Sequence, residues 1–480
     1  MKTKLIFILL GAVLSFVFIG CDNDIDPVID ELNLSRTLSP TDLMATIRNR
    51  TTIELNWKIR DGVDHYVVEF SEGNLEFNEI IRAVTVLPDE LPVQETFFGD
   101  TQYSARVKAV SEDGTPDSKW TAVTIRTDAE NILEPIVVNS DIGISTVTIK
   151  WPAGQQATHF VLNPGNMERS ITAGEIEAGE AVIEDLDYYT NYSVIMYAGN
   201  SQRGSATFKT LMDADCATCI KLSPGNDISN AIDAAADGSI IVLEAGTYPD
   251  EGAIAISKSV TIQGAVYYDQ PVVYAQLTCA ATVPSLVVLD TKFRGDTGTP
   301  LAQFFNTLAG CNINSFMVDG CEISHYANGL FYNNAAGVFG EVKVSNSYVH
   351  TMAGSGGDGI DIRGGTIGSL TVENCTFANG FRSFLRLQAT AVTSFKNCTF
   401  YKISAIDNSN NSGIFRTGGT AGANNTLDVR NCLFVETGIT NPVNIQSGNW
   451  CRSAGNMVAT ATYSNNNIHS CYNLLVGLYT

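Results

Sequence analysis

The sequence has little charge, few basic residues in particular, and no long apolar run after residue 20. Charged residues make up 17% of the 480 residues, and 29 Lys and Arg stand against 51 Asp and Glu, for a net charge of −22. The shortage of basic residues argues against nucleic acid as a partner, because a phosphate backbone requires a basic face. The hydrophobic content of 44% excludes a disordered chain. The length predicts about three domains.

The first residues have the order of a secretory signal. Two lysines precede an apolar run from Leu5 to Ile19 that is short for a membrane span. The tetrapeptide Phe-Ile-Gly-Cys that ends at Cys21 resembles the lipobox of bacterial lipoproteins, in which the cysteine becomes the lipid anchor. The resemblance implies that residues 1–20 are a signal peptide and that Cys21 is lipidated. An ordinary signal peptide with a chance cysteine is the alternative.

An acidic run follows Cys21. Asp22, Asp24 and Asp26 resemble the surface-export signal of lipoproteins from glycan-degrading Gram-negative bacteria, whereas in other lineages an Asp in this place means inner-membrane retention. The resemblance implies an outer-membrane protein that faces the cell exterior, with residues 21–37 as a tether.

Two stretches then show short strands in the same order. Ile53–Trp57 and Thr101–Ala109 alternate apolar and polar residues, as half-buried strands do, and the pair recurs as Val147–Trp151 and Thr190–Met196. The strands at Tyr103 and Tyr192 resemble the tyrosine-corner strand of fibronectin type III modules.

This repetition predicts two fibronectin type III-like sandwiches, at residues 38–128 and 131–211. No cysteine lies between residues 22 and 215, which excludes the inter-sheet disulfide of antibody domains. Such modules bind sugars or partners through loops, or act as spacers. We favour the spacer, because the fold carries no chemistry by itself.

Residues 215–480 begin with a short amphipathic helix and two strands. Ile228, Ile232 and Ala236 have helical spacing, and Gly238 stands where a helix would end. The strand Ile240–Leu243 follows. This order resembles the opening of pectin-lyase-like right-handed parallel β-helices, in which the helix closes the end of the solenoid.

A strand–turn unit then repeats six times. Its turn position, usually Asn, recurs every 23 to 34 residues, a spacing that suits one coil of a parallel β-helix. We expect these Asn side chains to bond one another between coils. The units are Leu286–Phe293, Phe316–Ile323, Val342–Val349, Leu370–Phe377, Ser394–Phe400 and Leu427–Phe434.

The repeat also accounts for four of the 11 cysteines. Cys321, Cys375, Cys398 and Cys432 share one coil position, which predicts that they stack inside as small apolar residues. Cys216-x-x-Cys219 could form a redox pair or half a zinc site, but a disulfide or capping role is favoured, because no second cysteine or histidine pair accompanies it. An oxidising location would permit Cys451 and Cys471 to pair.

The candidate ligand site lies in the middle of the repeat. Asp358 and Asp361 flank a turn into a strand, and since Ile360 and Ile362 face inward, Asp361 and Arg363 are predicted to face outward. The predicted ligand-binding residues are Asp358, Asp361 and Arg363. They are joined by the basic residues that follow in the sequence, Arg382, Arg386 and Lys396.

Charge supports an anionic ligand here. Residues 363–430 hold seven basic and three acidic residues in a chain that is acidic overall. The alternative is structural, since Asp-Gly turns and outward basic residues are common on solenoids. The paired-Asp and Gly-His pattern of polygalacturonases is absent, and no cluster of three or four acids is visible.

The chain as a whole resembles cell-surface lipoproteins of polysaccharide-utilisation systems. The resemblance implies that the ligand is a polysaccharide and that outer-membrane glycan importers are partners. The excess of basic residues in 363–430 favours an acidic polysaccharide. A second hypothesis is a lyase, with Arg382 or Arg386 as the catalytic base and Asp358 and Asp361 near a Ca²⁺ ion. A third is an adhesin or structural stalk.

Overall fold

The computed structural model describes part of the chain. The signal peptide 1–20, Cys21 and most of the tether 21–37 lie outside this part. The described residues are 35–334, 336–352, 357–404, 413–418, 426–438, 451–454 and 460–471.

β-Strands are the main regular structure of the described residues, and none of their short helices is both long and apolar enough to cross a membrane. Contacts divide the chain into two compact units, with boundaries inside the second sandwich. The first unit consists of the chain up to Leu133, Trp151–Gly179 and Val194–Ser205. The second unit consists of Glu134–Lys150, Glu180–Ser193 and the chain from Ala206.

Two antiparallel sheets form the first sandwich. Trp57, Tyr66 and Tyr103 are buried in its core. The backbone N–H of Phe98 donates to the Tyr103 hydroxyl at 3.2 Å, which is the predicted tyrosine corner. In spatial order the strands are Thr41–Arg48, Thr52–Lys58 and Val93–Thr96 in one sheet, and Arg82–Val86, Val63–Glu72, Gln102–Ser111 and Thr121–Arg126 in the other; Pro88–Glu90 form a 3₁₀ turn.

The second sandwich has the same kind of corner. The backbone N–H of Asp187 donates to the Tyr192 hydroxyl at 3.0 Å. The strands of its four-stranded sheet are, in spatial order, Met167–Ser170, His159–Asn163, Asn191–Ala198 and Ser201–Lys209. Its two-stranded sheet pairs Glu180–Ile183 with Val147–Lys150. Its two short helices are Val138–Asp141 and Ala173–Ala178.

From Cys219 onward every pairing is parallel, and the chain winds as a solenoid with three stacks of strands. Stack 1 is one ten-stranded sheet. Its strands are Cys219–Leu222, Ser239–Leu243, Val260–Gly264, Thr282–Leu289, Asn312–Asp319, Val338–Ser345, Thr366–Glu373, Thr390–Lys396, Thr426–Arg430 and Thr460–Ser464.

Stacks 2 and 3 both start from the long strand Val272–Cys279, which also pairs with Thr247–Ile256. Each coil runs from stack 1 through stack 2 to stack 3. Stack 2 contains Lys292–Arg294, Glu322–Ser324, Tyr348–His350, Thr376–Gly380, Thr399–Ile403, Leu433–Val435 and Asn467–His469. Stack 3 contains Gln303–Thr307, Gly329–Asn333, Asp358–Ile362, Ser383–Leu387, Gly413–Gly418 and Cys451–Ala454.

A continuous apolar core fills the solenoid, because each coil covers the apolar face of the coil before it. Phe377, Phe400 and Phe434 stack on one another with ring centroids 5.4 and 4.7 Å apart. The predicted fold class, an all-β chain with two fibronectin type III-like sandwiches and a right-handed parallel β-helix, is confirmed.

The predicted Asn stack lies at the corner between stacks 1 and 2. The amide of Asn397 donates to Asn374 at 3.2 Å, and the amide of Asn374 donates to Asn346 at 3.3 Å. All six repeat positions have φ between 48° and 65°, a left-handed conformation that Asn, Asp and Gly tolerate best. Asn465 continues the series by one coil, with φ 53°.

The first position of this series is an acid rather than an amide. Asp290 accepts a hydrogen bond from the Tyr189 hydroxyl at 2.7 Å, and its Oδ2 lies 3.2 Å from the Lys209 ammonium. Burial raises the pKa of Asp290, although Lys209 opposes this.

The cysteines after the turn are buried, as predicted. The thiols of Cys375, Cys398 and Cys432 each approach a backbone carbonyl of the preceding coil at 3.6–3.7 Å. Ser347 occupies the same corner position one coil before Cys375. Cys471 is a free thiol near the corner of stack 2, whereas Cys451 begins a strand of stack 3, so the pairing that an oxidising location would permit is not formed.

A helix closes the first end of the solenoid. It spans Ile228–Ala234, and the Asp227 side chain caps it by accepting the Asn230 N–H at 2.7 Å. Ile228 and Ile232 on its inner face are fully buried in the solenoid core. The outermost strand, Cys219–Leu222, begins with a Cys216–Cys219 disulfide.

Candidate functional site

The candidate site lies on the outer face of stack 3, along the strands Asp358–Ile362 and Ser383–Leu387. Strand pairing sets Asp361 beside Arg386 and Asp358 beside Ser383. Ile360 and Ile362 are buried in the core, so Asp361 is on the opposite face of its strand. The sequence motif therefore brings two acids and the next coil's arginine to neighbouring positions.

Arg363 covers Asp361. Its Nε lies 3.0 and 2.9 Å from the two carboxylate oxygens, and its Nη2 lies 2.6 Å from Oδ2. The side chain of Asp361 is only 5% exposed. Burial raises the pKa of Asp361. The neighbouring carboxylate of Asp358 raises this pKa further, whereas Arg363 lowers it. The guanidinium of Arg363 also lies 5.2 Å from the ring centre of Tyr332, a cation–π contact.

Asp358 is held by Arg382. The Nε of Arg382 donates to Oδ1 of Asp358 at 3.0 Å, and the side chain of Asp358 is fully buried. Nearby glycines make room for this close stacking. A Cβ at Gly357 would lie 2.5 Å from the Cβ of Asn328, and one at Gly359 would lie 2.7 Å from the carbonyl of Phe384. Part of the Gly-Gly-Asp-Gly motif is thus explained by packing between coils.

Arg386 stands between both acids but bonds neither closely. Its Nη1 lies 3.8 Å from Asp358 and its Nε lies 3.8 Å from Asp361. Its buried Nε makes no hydrogen bond within the part of the chain that the structure describes. Burial lowers the pKa of Arg386, and the positive charges of Arg363 and Arg382 lower it further. The two acids act in the opposite direction and raise this pKa. Arg386 is therefore the least neutralised of the three arginines.

These five residues form what we call the arginine site: Asp358, Asp361, Arg363, Arg382 and Arg386. Three guanidiniums and two carboxylates leave one surplus positive charge on an outer surface, which can attract an anion. The planar donors of arginine suit carboxylate or sulfate groups.

The arginine site does not fit Ca²⁺. This ion takes six to eight oxygen ligands, whereas both acids here are already bound by arginines. Among the described residues, no group of three or more His, Cys, Asp or Glu could hold a metal. The expectation that Asp358 and Asp361 hold Ca²⁺ is therefore not supported, because the surrounding arginines would repel the cation.

Lys396 is not part of the arginine site. It ends the strand Thr390–Lys396 of stack 1, whereas Arg382 and Arg386 belong to stack 3. Lys396 is paired in register with Glu373 and Arg430. The predicted basic stripe is therefore divided between two stacks, because successive segments of one coil run along different faces.

A second group of polar residues lies on stack 2, where the sequence left His325 and His350 unpaired because they stand at different offsets in neighbouring coils. The Nε2 of His350 lies 3.2 Å from Glu322, and the ring centroids of His350 and His325 are 5.9 Å apart. Tyr348, 42% exposed, stacks on His350. Burial lowers the pKa of His325, and Arg294 adds to this. The sequence spacing of the two histidines is close to one coil, which is the signal that could have linked them.

A family described as a domain of unknown function, DUF4957, matches residues 246–380. No curated protein matches the chain.

Several solved structures match parts of the chain. A two-domain fibronectin type III segment of chicken tenascin is 18% identical, with a TM-score of 0.24, covering 36% of this chain and 99% of that one. The first three fibronectin domains of chicken CNTN1 are 16% identical, with a TM-score of 0.17, covering 36% and 67%. A mutant of the PL6-family alginate lyase AlyGC is 17% identical, with a TM-score of 0.34, covering 52% and 39%. The chain thus spans well under half of that lyase.

Proposed function

We propose that the protein binds an acidic polysaccharide through the arginine site on stack 3. The observation that carries this proposal is Arg386, a half-buried guanidinium that stands 3.8 Å from each acid and keeps donor capacity for a ligand. A carboxylate or sulfate could accept from it without displacing an existing short hydrogen bond. The printed name of the PL6 neighbour, an alginate lyase, is consistent with a polysaccharide as the ligand class.

Affinity electrophoresis in gels containing acidic or neutral polysaccharides tests the proposal. We expect retardation in acidic gels only, and Arg386→Ala to weaken binding about tenfold, since charged hydrogen bonds contribute ~1.4 kcal/mol or more. Arg430→Ala is the matched control. Arg430 lies on stack 1 and is bound to Asp428 at 2.9 Å, so its loss should not change retardation. If no polysaccharide retards the protein, the stalk hypothesis replaces this one.

A second candidate function, a polysaccharide lyase, is favoured by the place of Arg386, a largely buried guanidinium 3.8 Å from both acids, where burial lowers its pKa. A base must lose its proton near working pH, and burial beside two other arginines acts in that direction. In such a reaction Arg386 or Arg382 would take the proton beside the uronate carboxylate. The C–O bond to the leaving sugar would break, the departing oxygen would take a proton from water, and a carbon–carbon double bond would form.

Ultraviolet absorbance of the unsaturated product distinguishes lyase from binder. A lyase gives absorbance that grows with time and falls at least about a hundredfold in Arg386→Ala. A lack of absorbance with every acidic polymer that the protein binds would exclude the lyase and leave the binding function intact.

We also propose that the protein is an outer-membrane lipoprotein anchored at Cys21, exposed outward and working beside glycan importers. The support is the order of residues at the start of the chain, an apolar run followed by Gly-Cys and an acidic stretch. We expect Cys21→Ala to move the protein from the membrane fraction to the soluble fraction. Protease treatment of intact cells should digest the wild-type protein; survival of the membrane-bound protein would place it on the inner side.

A further inference from the structure

A cavity of about 690 Å³ opens between the first sandwich and a loop of the second. Its lining residues all belong to the first of the two compact units. The first sandwich contributes strand ends, among them Glu72 and Arg82, and the second contributes residues of the loop 152–156. The most deeply buried lining residues are Tyr103 and Arg203, which are 1% and 4% exposed. Small-molecule sites have volumes of ~300–1,000 Å³ and are common between domains, so the cavity has the size and place of such a site.

Arg203 joins the two walls of the cavity. Its Nε lies 2.9 Å from the carboxylate of Glu130, and the two side chains are only 5% and 11% exposed. Its Nη1 donates to the carbonyl of Gln156 at 2.6 Å, and its Nη2 donates to the side-chain oxygen of Gln155 at 2.9 Å. The guanidinium also lies 4.7 Å from the ring centre of Phe98. A buried ion pair is costly to break, so these contacts fix the shape of the cavity before a ligand arrives.

The loop that forms the second wall is held from behind by a helix. The backbone N–H of Gly154 donates to the carbonyl of Ile176 at 2.7 Å, and that of Trp151 donates to the carbonyl of Gly179 at 2.9 Å. Gly179 follows the helix Ala173–Ala178 with φ 73°, and a Cβ there would lie 2.5 Å from the Trp151 carbonyl. The loop is therefore anchored on both sides, by this helix and by Arg203.

The charges around the cavity are balanced except for one carboxylate. Arg203 is paired with Glu130, and the Nη1 of Arg82 lies 2.5 Å from the carboxylate of Glu95. Glu72 forms no ion pair with any residue that the structure describes. The cavity thus has one surplus negative charge in a protein whose net charge is −22, and both charges repel an anionic ligand.

We propose that this cavity binds a short neutral oligosaccharide. A sugar hydroxyl both donates and accepts hydrogen bonds, so it suits a wall that offers both kinds of group. The bond to Arg203 occupies the side-chain oxygen of Gln155 and leaves its amino group as a donor. Glu72 supplies an acceptor. Phe97 and Ile81, which is 40% exposed, provide apolar surface for the C–H face of a sugar ring.

The size of the cavity limits the length of this ligand. A cavity of this volume encloses a drug-sized molecule, so it suits a free oligosaccharide of a few units and not the interior of a polymer. Gels that contain polymers therefore do not report on this site. The inference is independent of the arginine site, which lies in the other compact unit. It gives the two sandwiches a binding role where the sequence favoured a spacer.

Calorimetry on the full-length protein without its signal peptide tests the proposal. The probes are neutral oligosaccharides, from disaccharide to hexasaccharide, and uronic-acid oligosaccharides of the same lengths. We expect affinity for the neutral series to level off within these lengths. Gln155→Ala should weaken neutral binding about fivefold and Glu72→Ala about tenfold. Glu72→Gln keeps an oxygen acceptor and should lose less affinity than Glu72→Ala. Gln202→Ala is the matched control, since Gln202 is an exposed glutamine outside the cavity.

Three results would overturn this inference and leave the proposed function standing. The first is the absence of binding by every neutral oligosaccharide. The second is neutral binding that is lost in Arg386→Ala but kept in Glu72→Ala and Gln155→Ala, which would move the ligand to the arginine site. The third is weaker binding of the uronic-acid series, not the neutral one, in Glu72→Ala, which would make the ligand class wrong. Thermal melts of each variant separate lost binding from lost folding.

Discussion

Two corners of the same solenoid differ in regularity. The corner between stacks 1 and 2 always has two residues, from Asp290-Thr291 to Asn465-Asn466, and the first is always left-handed. The corner between stacks 2 and 3 varies in length from coil to coil, and it leads into the arginine site. In the first four coils it comprises residues 295–302, 325–328, 351–357 and 381–382.

The difference separates what holds the coils together from what can bind a ligand. A two-residue turn with Asn amides in series repeats because every coil requires the same hydrogen bonds and the same φ. A variable corner has no such shared constraint, so its residues can be charged or unusual. We therefore expect changes at the first corner to alter stability and changes at the second corner to alter binding.

The largest expected effect is at the regular corner. Cys398→Asp places a carboxylate where Cys398 is 1% exposed, and we expect a loss of at least about 3 kcal/mol in the free energy of unfolding in urea. Cys398→Ser is the control. Because Ser347 already occupies this position, it should cost only about 1 kcal/mol. Equal urea midpoints for Cys398→Asp and the wild type would contradict the buried position.

A smaller loss is expected from Asn374→Val. This change removes both amide hydrogen bonds of Asn374 and puts a β-branched residue at φ 54°, at a cost of about 2 kcal/mol. Asn374→Gly keeps the backbone conformation and should lose about 1 kcal/mol. If both variants unfold at the same urea concentration, backbone strain contributes nothing at this corner. Neither variant should change polysaccharide affinity while folded.

In the arginine site, which follows the variable corner, Asp361→Asn should strengthen binding of a sulfated polysaccharide about fivefold at pH 7, because a repelling charge is lost and Arg363 is freed. Wild-type affinity should rise as pH falls through the raised pKa of Asp361, since protonation removes the same charge. A sulfated ligand is used because it stays ionised. A pH dependence that survives in Asp361→Asn would assign the effect to another group.

The smallest expected effect is that of Tyr332→Ala. It removes the ring beneath Arg363 and should weaken polysaccharide binding two- to threefold through loss of about 0.5 kcal/mol. Tyr332→Phe keeps the ring face and should bind like the wild type. Weaker binding in Tyr332→Phe would mean that the hydroxyl, not the ring, contributes.

Much of the fold was predictable from residue spacing. The corner between stacks 1 and 2 could be recognised in the sequence because Asn and Gly, which tolerate a left-handed conformation, recur there, as at Gly320, Asn346 and Asn374. The helix was predicted from Ile228 and Ile232, and both are buried. The coil at Asn465 was not recognised, because Asn466 replaces the cysteine that follows the turn in four of the six units and the usual aromatic is missing.

The arginine site was predictable only in part. Strand alternation predicted that Asp361 faces outward, and coil length predicted that Arg386 lies near it. Counting charges along the sequence failed for Lys396, since residues ten apart in one coil lie on different stacks. Register between strands, not proximity in sequence, decides which side chains act together.

The helix Ile228–Ala234 affects how copies of the protein meet one another. It covers apolar coil interior that would otherwise offer a template to a second solenoid, and the strand at that end has only the four residues Cys219–Leu222. Crowded copies therefore cannot extend one another end to end into fibres through this end. Dense display of the protein is compatible with each copy remaining separate.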